Sequence, residues 1–108
     1  MNPQNVEKAL PEIIERLRKE FEPVAIYLHG SAARGTAGPE SDVDLLVVVE
    51  HSSVDFFERS TAARHALRGL GAPIDVQVYT RAEFEERASL PVSFERVVAA
   101  KGRKVYAA

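Results

Sequence analysis

A chain of 108 residues has room for one domain with one core, and a separate recognition module would exceed that length. Fourteen basic residues against sixteen acidic ones give a net charge of −2, which argues against a broad nucleic-acid-binding surface while leaving room for a local basic groove. Cysteine is absent, which excludes disulfides and thiolate chemistry. No secretory pattern opens the chain and no apolar run reaches membrane-spanning length, so the expected location is the cytoplasm, with no membrane partner.

Val6, Leu10, Ile13, Leu17 and Phe21 recur at helical spacing and predict a first helix with one buried stripe. Asn2 before Pro3 is a start signal, and Pro11 predicts a kink or restart. The run "PVAIYLHG", residues 23–30, predicts a largely buried strand ending at Gly30. Residues 31–37, "SAARGTA", suit one short helical turn with Ser31 near its amino end, and "GPES" suits a loop. "DVDLLVVV", residues 42–49, is the strongest strand signal, and its unbroken apolar character predicts cover on both faces. In the next segment Ser52 and Asp55 resemble a capping box, and Phe56, Ala63, Leu67 and Leu70 share one helical face before a stop at Gly71. "PIDVQVY", residues 73–79, predicts a third strand. Thr80 and Glu83 form a capping box for a following helix. A last helix is expected over "PVSFERVVAAKG" with Phe94, Val97 and Val98 inward, and "RKVYAA" suits a short extended segment. The fold class is therefore α/β (α+β): a small mixed sheet flanked by helices, in a single domain spanning residues 1–108. The order and direction of the strands are left open.

The acidic residues hold the chemical signal. There are twelve glutamates and only four aspartates, and three of those four, Asp42, Asp44 and Asp75, head apolar strands. Residues i and i+2 of a strand share a face, so Asp42 and Asp44 project together. Two such carboxylates repel in a protected site, and a divalent cation relieves the repulsion. Mg2+ suits oxygen ligands of this kind, commonly with substrate phosphates completing its shell. If the third strand lies beside the second, Asp75 joins them, and three aspartates could hold two ions about 4 Å apart. Gly30 lets backbone approach a ligand closely, and Ser31 offers a hydroxyl and an amide where a helical turn opens, a position that favours anions. Arg34 could add a forked phosphate contact or pair with Glu40. The pattern is not a P-loop, because no lysine followed by serine or threonine closes a glycine loop. His51 and His65 lack partners at zinc-ligand spacing. "KGRK", residues 101–104, reads as a solvated basic tail, with contact to nucleic acid or an acidic partner as the lesser reading.

"GS", ten residues (Ala32 to Ser41) and then "DVD", with "AARG" inside the gap, resembles the minimal nucleotidyltransferases of the DNA polymerase beta superfamily. The resemblance extends over nearly the whole chain. It implies that Gly30 and Ser31 form a triphosphate-binding turn, that Asp42 and Asp44 are paired Mg2+ ligands, and that Asp75 is the third carboxylate, which helps bind the catalytic ion and activate the acceptor hydroxyl. Ser41 would stand beside them in the motif. His29 departs from the phenylalanine that often precedes the glycine. Members of this length resemble antitoxins paired with a helical HEPN-domain ribonuclease, some of which transfer AMP from ATP to a tyrosine of the partner. The implied reaction is attack of an acceptor oxygen on the alpha phosphorus of a nucleoside triphosphate, with release of pyrophosphate. The alternatives are a non-catalytic protein that neutralises a HEPN-type ribonuclease and a nucleotide-binding regulatory domain. A chain this short is expected to draw acceptor recognition from a partner or a homo-oligomer.

Overall fold

The computed structural model describes residues 3–30, 43–70 and 74–108. Six helical and extended segments were expected before the last helix, besides the short turn at residues 31–37, which lies outside the described residues, and the order of the six is observed. Helix α1 (Pro3–Phe21) leads into β1 (Ala25–His29), followed by β2 (Val43–Val49), α2 (Phe56–Ala66), β3 (Ile74–Thr80), α3 (Arg81–Ala88), α4 (Phe94–Lys101) and β4 (Arg103–Ala107). The strands form one mixed sheet in the order β3-β2-β1-β4. β1 pairs antiparallel with β2 and with β4, whereas β2 and β3 are parallel neighbours joined through α2. A parallel pair needs such a crossover because a tight turn reverses chain direction. Among the described residues no helix is long and apolar enough to cross a membrane.

The period of two along each strand divides the interior into two layers. Val43, Leu45, Val47 and Val49 of β2 join Ile26, Leu28, Val76 and Val78 under α1 and α2. Leu46 and Val48 turn the other way and meet Ala25, Tyr79, Phe84 and Val98 under α3 and α4. The double cover expected for β2 is thus present. From α1, Leu10, Ile13 and Leu17 supply the helical stripe, each burial worth about 1.5–3 kcal/mol. The Arg16 guanidinium donates to the carbonyls of Ala66 and Arg68, which ties α1 to the end of α2 and satisfies carbonyls the helix leaves open.

Several expectations are corrected. α1 runs through Pro11 as one helix with no restart, because Leu10, Ile13 and Leu17 are all held in the core on either side of the proline. Asp55, not Ser52, caps α2: its carboxylate accepts from the Glu58 amide at 2.9 Å, while Ser52 is occupied in a turn with Val54. Phe56 does not share a layer with Ala63 and Leu67, since it packs against the second cluster. In α4 Glu95 and Val98 are buried, and Phe94 and Val97 are 44% and 56% exposed. One buried position per turn is enough to seat a helix of eight residues against the sheet. Asn2 and Gly71 lie outside the described residues.

The predicted capping box at α3 is present and reaches further than its own helix. Thr80 Oγ1 accepts from the Glu83 amide, and Glu83 Oε1 accepts from the Thr80 amide. The same carboxylate receives the guanidinium of Arg59, which is 3% exposed and also donates to the Val54 and Val78 carbonyls. Burial disfavours ionisation of Glu83, but the Thr80 amide and Arg59 outweigh it and hold the carboxyl below its ordinary 4.5. A carboxylate depressed in the folded state contributes stability that is present above pH 4.5 and is lost as pH falls through the folded value. Glu83→Gln is therefore expected to lower the urea midpoint at neutral pH and to flatten its decline below pH 4.5. A parallel decline in both proteins would rule this linkage out.

Candidate active site

β1, β2 and β3 lie side by side, and their registers align one residue from each. His29 stands opposite Asp44, and Asp44 stands opposite Asp75. Neighbouring strands are about 4.8 Å apart, so three chemically active side chains form a row across the sheet. All three belong to the face covered by α3 and α4, the same face as Leu46 and Tyr79. The row sits at one end of that face. Asp44 is half-buried there and Asp75 is exposed.

Gly30 forms the adjoining wall. Its φ of +72° is the left-handed region that glycine enters without penalty. A Cβ added to Gly30 would stand 2.6 Å from Asp44 Oδ2, closer than real Cβ atoms come. The carboxylate of Asp44 therefore rests directly against the Gly30 backbone and fills the space that a side chain there would take.

His29 completes the row with a neutral group. Burial holds its imidazole below the ordinary 6.5, against the pull of Asp44 and Asp75 and a hydrogen bond to the Leu45 backbone. Burial thus favours the neutral imidazole, which carries no charge to oppose a cation at the two carboxylates. Its ring meets Phe94 edge-on, with 5.0 Å between centroids. That contact brings the first turn of α4 up to the site.

Of the residues singled out from the sequence, the structure brings Gly30, Asp44 and Asp75 together. Ser31, Arg34, Ser41 and Asp42 lie outside the described residues. Among the described residues no group of three or more His, Asp or Glu side chains is arranged to hold a metal ion. The structure also sets His29, Phe94 and Lys101 at the border of the site, where sequence reasoning had placed none of them. The adjacency of His29 to Gly30 was the available signal for the first. For Phe94 there was none, because an apolar residue at helical spacing reads as core. A larger cavity, about 400 Å³ between Phe56, Phe57, Tyr79, Glu83 and Arg87, lies towards the opposite end of β3 and is remote from these carboxylates.

The fold agrees with the family comparison. The model of the nucleotidyltransferase domain family matches residues 10–106, and the chain belongs to that family. A candidate protein adenylyltransferase of Methanocaldococcus jannaschii is 33% identical over 104 residues, spanning 94% of this chain and 99% of that protein. The crystal structure of a candidate nucleotidyltransferase from Sulfolobus solfataricus is 28% identical, with a TM-score of 0.58 over 73% of this chain and 70% of that one. A toxin–antitoxin crystal structure with AMP-PNP is similar in fold, with a TM-score of 0.52 at 21% identity, over all of this chain and 75% of that one.

Proposed function

We propose that the protein is a Mg2+-dependent nucleotidyltransferase that moves AMP from ATP to an acceptor hydroxyl, a tyrosine of a small helical HEPN-type partner. The observation that carries this reading is the in-register pair Asp44 and Asp75, on one face of adjacent strands, with Gly30 backbone against the first. Two carboxylates at neighbouring positions form a hard oxygen donor set, which fits Mg2+, and Asp42 would extend it. When bound there, Mg2+ neutralises phosphoryl charge and lowers the pKa of an attacking hydroxyl.

The chain's own groups divide the remaining work. The side-chain-free backbone at Gly30 lets the triphosphate approach beside Asp44, while Ser31 supplies a hydroxyl and an amide and Arg34 a forked donor to its oxygens. Ser41 directly precedes the paired aspartates in the sequence. Asp75, the exposed member of the row, meets an acceptor arriving from solvent and orients its hydroxyl or takes its proton. The acceptor oxygen then bonds to the alpha phosphorus as the bond to pyrophosphate breaks. The identity to a candidate protein adenylyltransferase supports a protein acceptor.

A second reading, a partner-neutralising protein without transfer, is favoured by the exposed apolar side chains Val92, Phe94 and Val97. One experiment addresses both. Alpha-labelled ATP and magnesium are supplied with cell extract and with a panel of other alpha-labelled triphosphates as competitors. Label is expected on a tyrosine of one small protein, and Asp75→Ala is expected to stop it. Absence of labelling from every triphosphate, with a stable partner complex still formed, would leave neutralisation by contact as the function.

A further inference from the structure

On the face that carries the carboxylate row, α4 and the end of β1 enclose a cavity of about 190 Å³, lined chiefly by His29, Gly30, Phe94, Val97, Lys101 and Gly102. We propose that this cavity is the nucleobase subsite, holding the flat ring system of the triphosphate by stacking and apolar contact. The proposal rests on the nucleotidyltransferase reading and adds to it the place and manner of base recognition.

Continuity is the first argument. His29 and Gly30 line the cavity and also border Asp44. A ligand whose phosphates lie along the Gly30 backbone beside Asp44 therefore has its other end at the cavity mouth. Size is the second. Pockets that enclose a whole drug-sized ligand run to about 300–1,000 Å³. A space of about 190 Å³ takes one planar ring system and leaves the sugar and phosphates outside, towards the aspartates.

The lining supplies the third argument. Phe94 is 44% exposed and Val97 56% exposed, although both are large apolar groups on a helix that buries Val98. The edge-on contact with His29 fixes the Phe94 ring without covering it. An aromatic face beside a nucleotide site stabilises a stacked base with little regard for its identity. Lys101 adds one cationic donor for a ring nitrogen, a carbonyl or a phosphate oxygen. Among the described residues His29 and Lys101 are the polar side chains of this lining, so binding is governed by stacked area, and purine triphosphates are expected to bind more tightly than pyrimidine ones.

The test compares Mg2+·ATP with Mg2+·tripolyphosphate, which carries the phosphates and no base, by isothermal titration of the wild-type chain, Phe94→Leu and Val97→Trp. Phe94→Leu keeps an apolar contact to His29 and deletes the aromatic face. Val97→Trp fills the cavity from an exposed position, and thermal melts confirm that each variant is folded. Both variants are expected to weaken ATP about tenfold, on the scale of one lost base–aromatic stack, and to leave tripolyphosphate affinity unchanged. Unchanged ATP affinity in both variants would place the base elsewhere while the nucleotidyltransferase reading stands. Loss of labelling of a protein acceptor with ATP affinity intact would assign the cavity to the acceptor's ring and overturn the proposal. A wild-type chain that binds neither ligand would remove the nucleotidyltransferase reading and the subsite together.

Discussion

Asp44→Asn is expected to reduce nucleotidyl transfer by more than about a hundredfold, beyond the upper range for loss of an outer-shell partner of a metal, while the protein stays folded. Asparagine keeps the shape of the side chain, removes its charge and replaces one acceptor oxygen with a donor NH2. The expectation rests on the register that sets Asp44 against Asp75. Like charges directly opposite on adjacent strands are destabilising, by an amount comparable to the roughly 0.2–1 kcal/mol of a favourable cross-strand pair. Without a cation, the variant should therefore melt no lower than the wild type. Magnesium with ATP should raise the melting temperature of the wild type, because a ligand that binds only the folded state stabilises it by mass action. The variant should gain little. Equal transfer rates, or equal stabilisation by magnesium, would show that Asp44 is not a ligand.

Gly30→Ala and Gly69→Ala form a matched pair that separates backbone strain from damage to the site. Both glycines have positive φ, +72° and +87°. Alanine in this region costs about 1–2 kcal/mol, so both variants should lose a similar amount of stability in urea titrations. Their surroundings differ. Nothing lies within 4 Å of a Cβ placed on Gly69, whereas one placed on Gly30 meets Asp44 Oδ2 at 2.6 Å. The carboxylate must move away from its place opposite Asp75. Transfer activity should therefore survive in Gly69→Ala and fall by about a hundredfold in Gly30→Ala, as expected when a group is displaced by about 1 Å from its productive position. Equal activity in the two variants would mean that the carboxylate can shift without consequence.

Much of this architecture follows from patterns that a sequence displays openly. The stripe Leu10, Ile13, Leu17 has one period, and the apolar run of β2 has no polar face to give to solvent. Thr80 and Glu83 announce α3 because the two groups satisfy each other across one turn. Strand order is different. Nothing in "PIDVQVY" says which neighbour it takes or in which direction, yet that pairing is what sets Asp75 beside Asp44. A slip of one residue would turn Asp75 to the opposite face of the sheet. Capping was ambiguous at Ser52 and Asp55 because both side chains are competent acceptors, and the turn at Val54 decides between them. Phe94 and Val97 were misassigned to the core for a related reason. Helical spacing identifies a stripe and does not say whether the stripe faces the interior or borders a site.

The row His29, Asp44, Asp75 is assembled from three strands, and its last member enters the chain 46 residues after its first (75 − 29). No shorter fragment emerging from the ribosome can hold it. Translation must pass residue 75 and the crossover through α2 must dock before any two of the outer groups flank the middle one. A nascent chain would thus lack this row until its sheet closes, which confines any chemistry the row supports to copies that have finished folding.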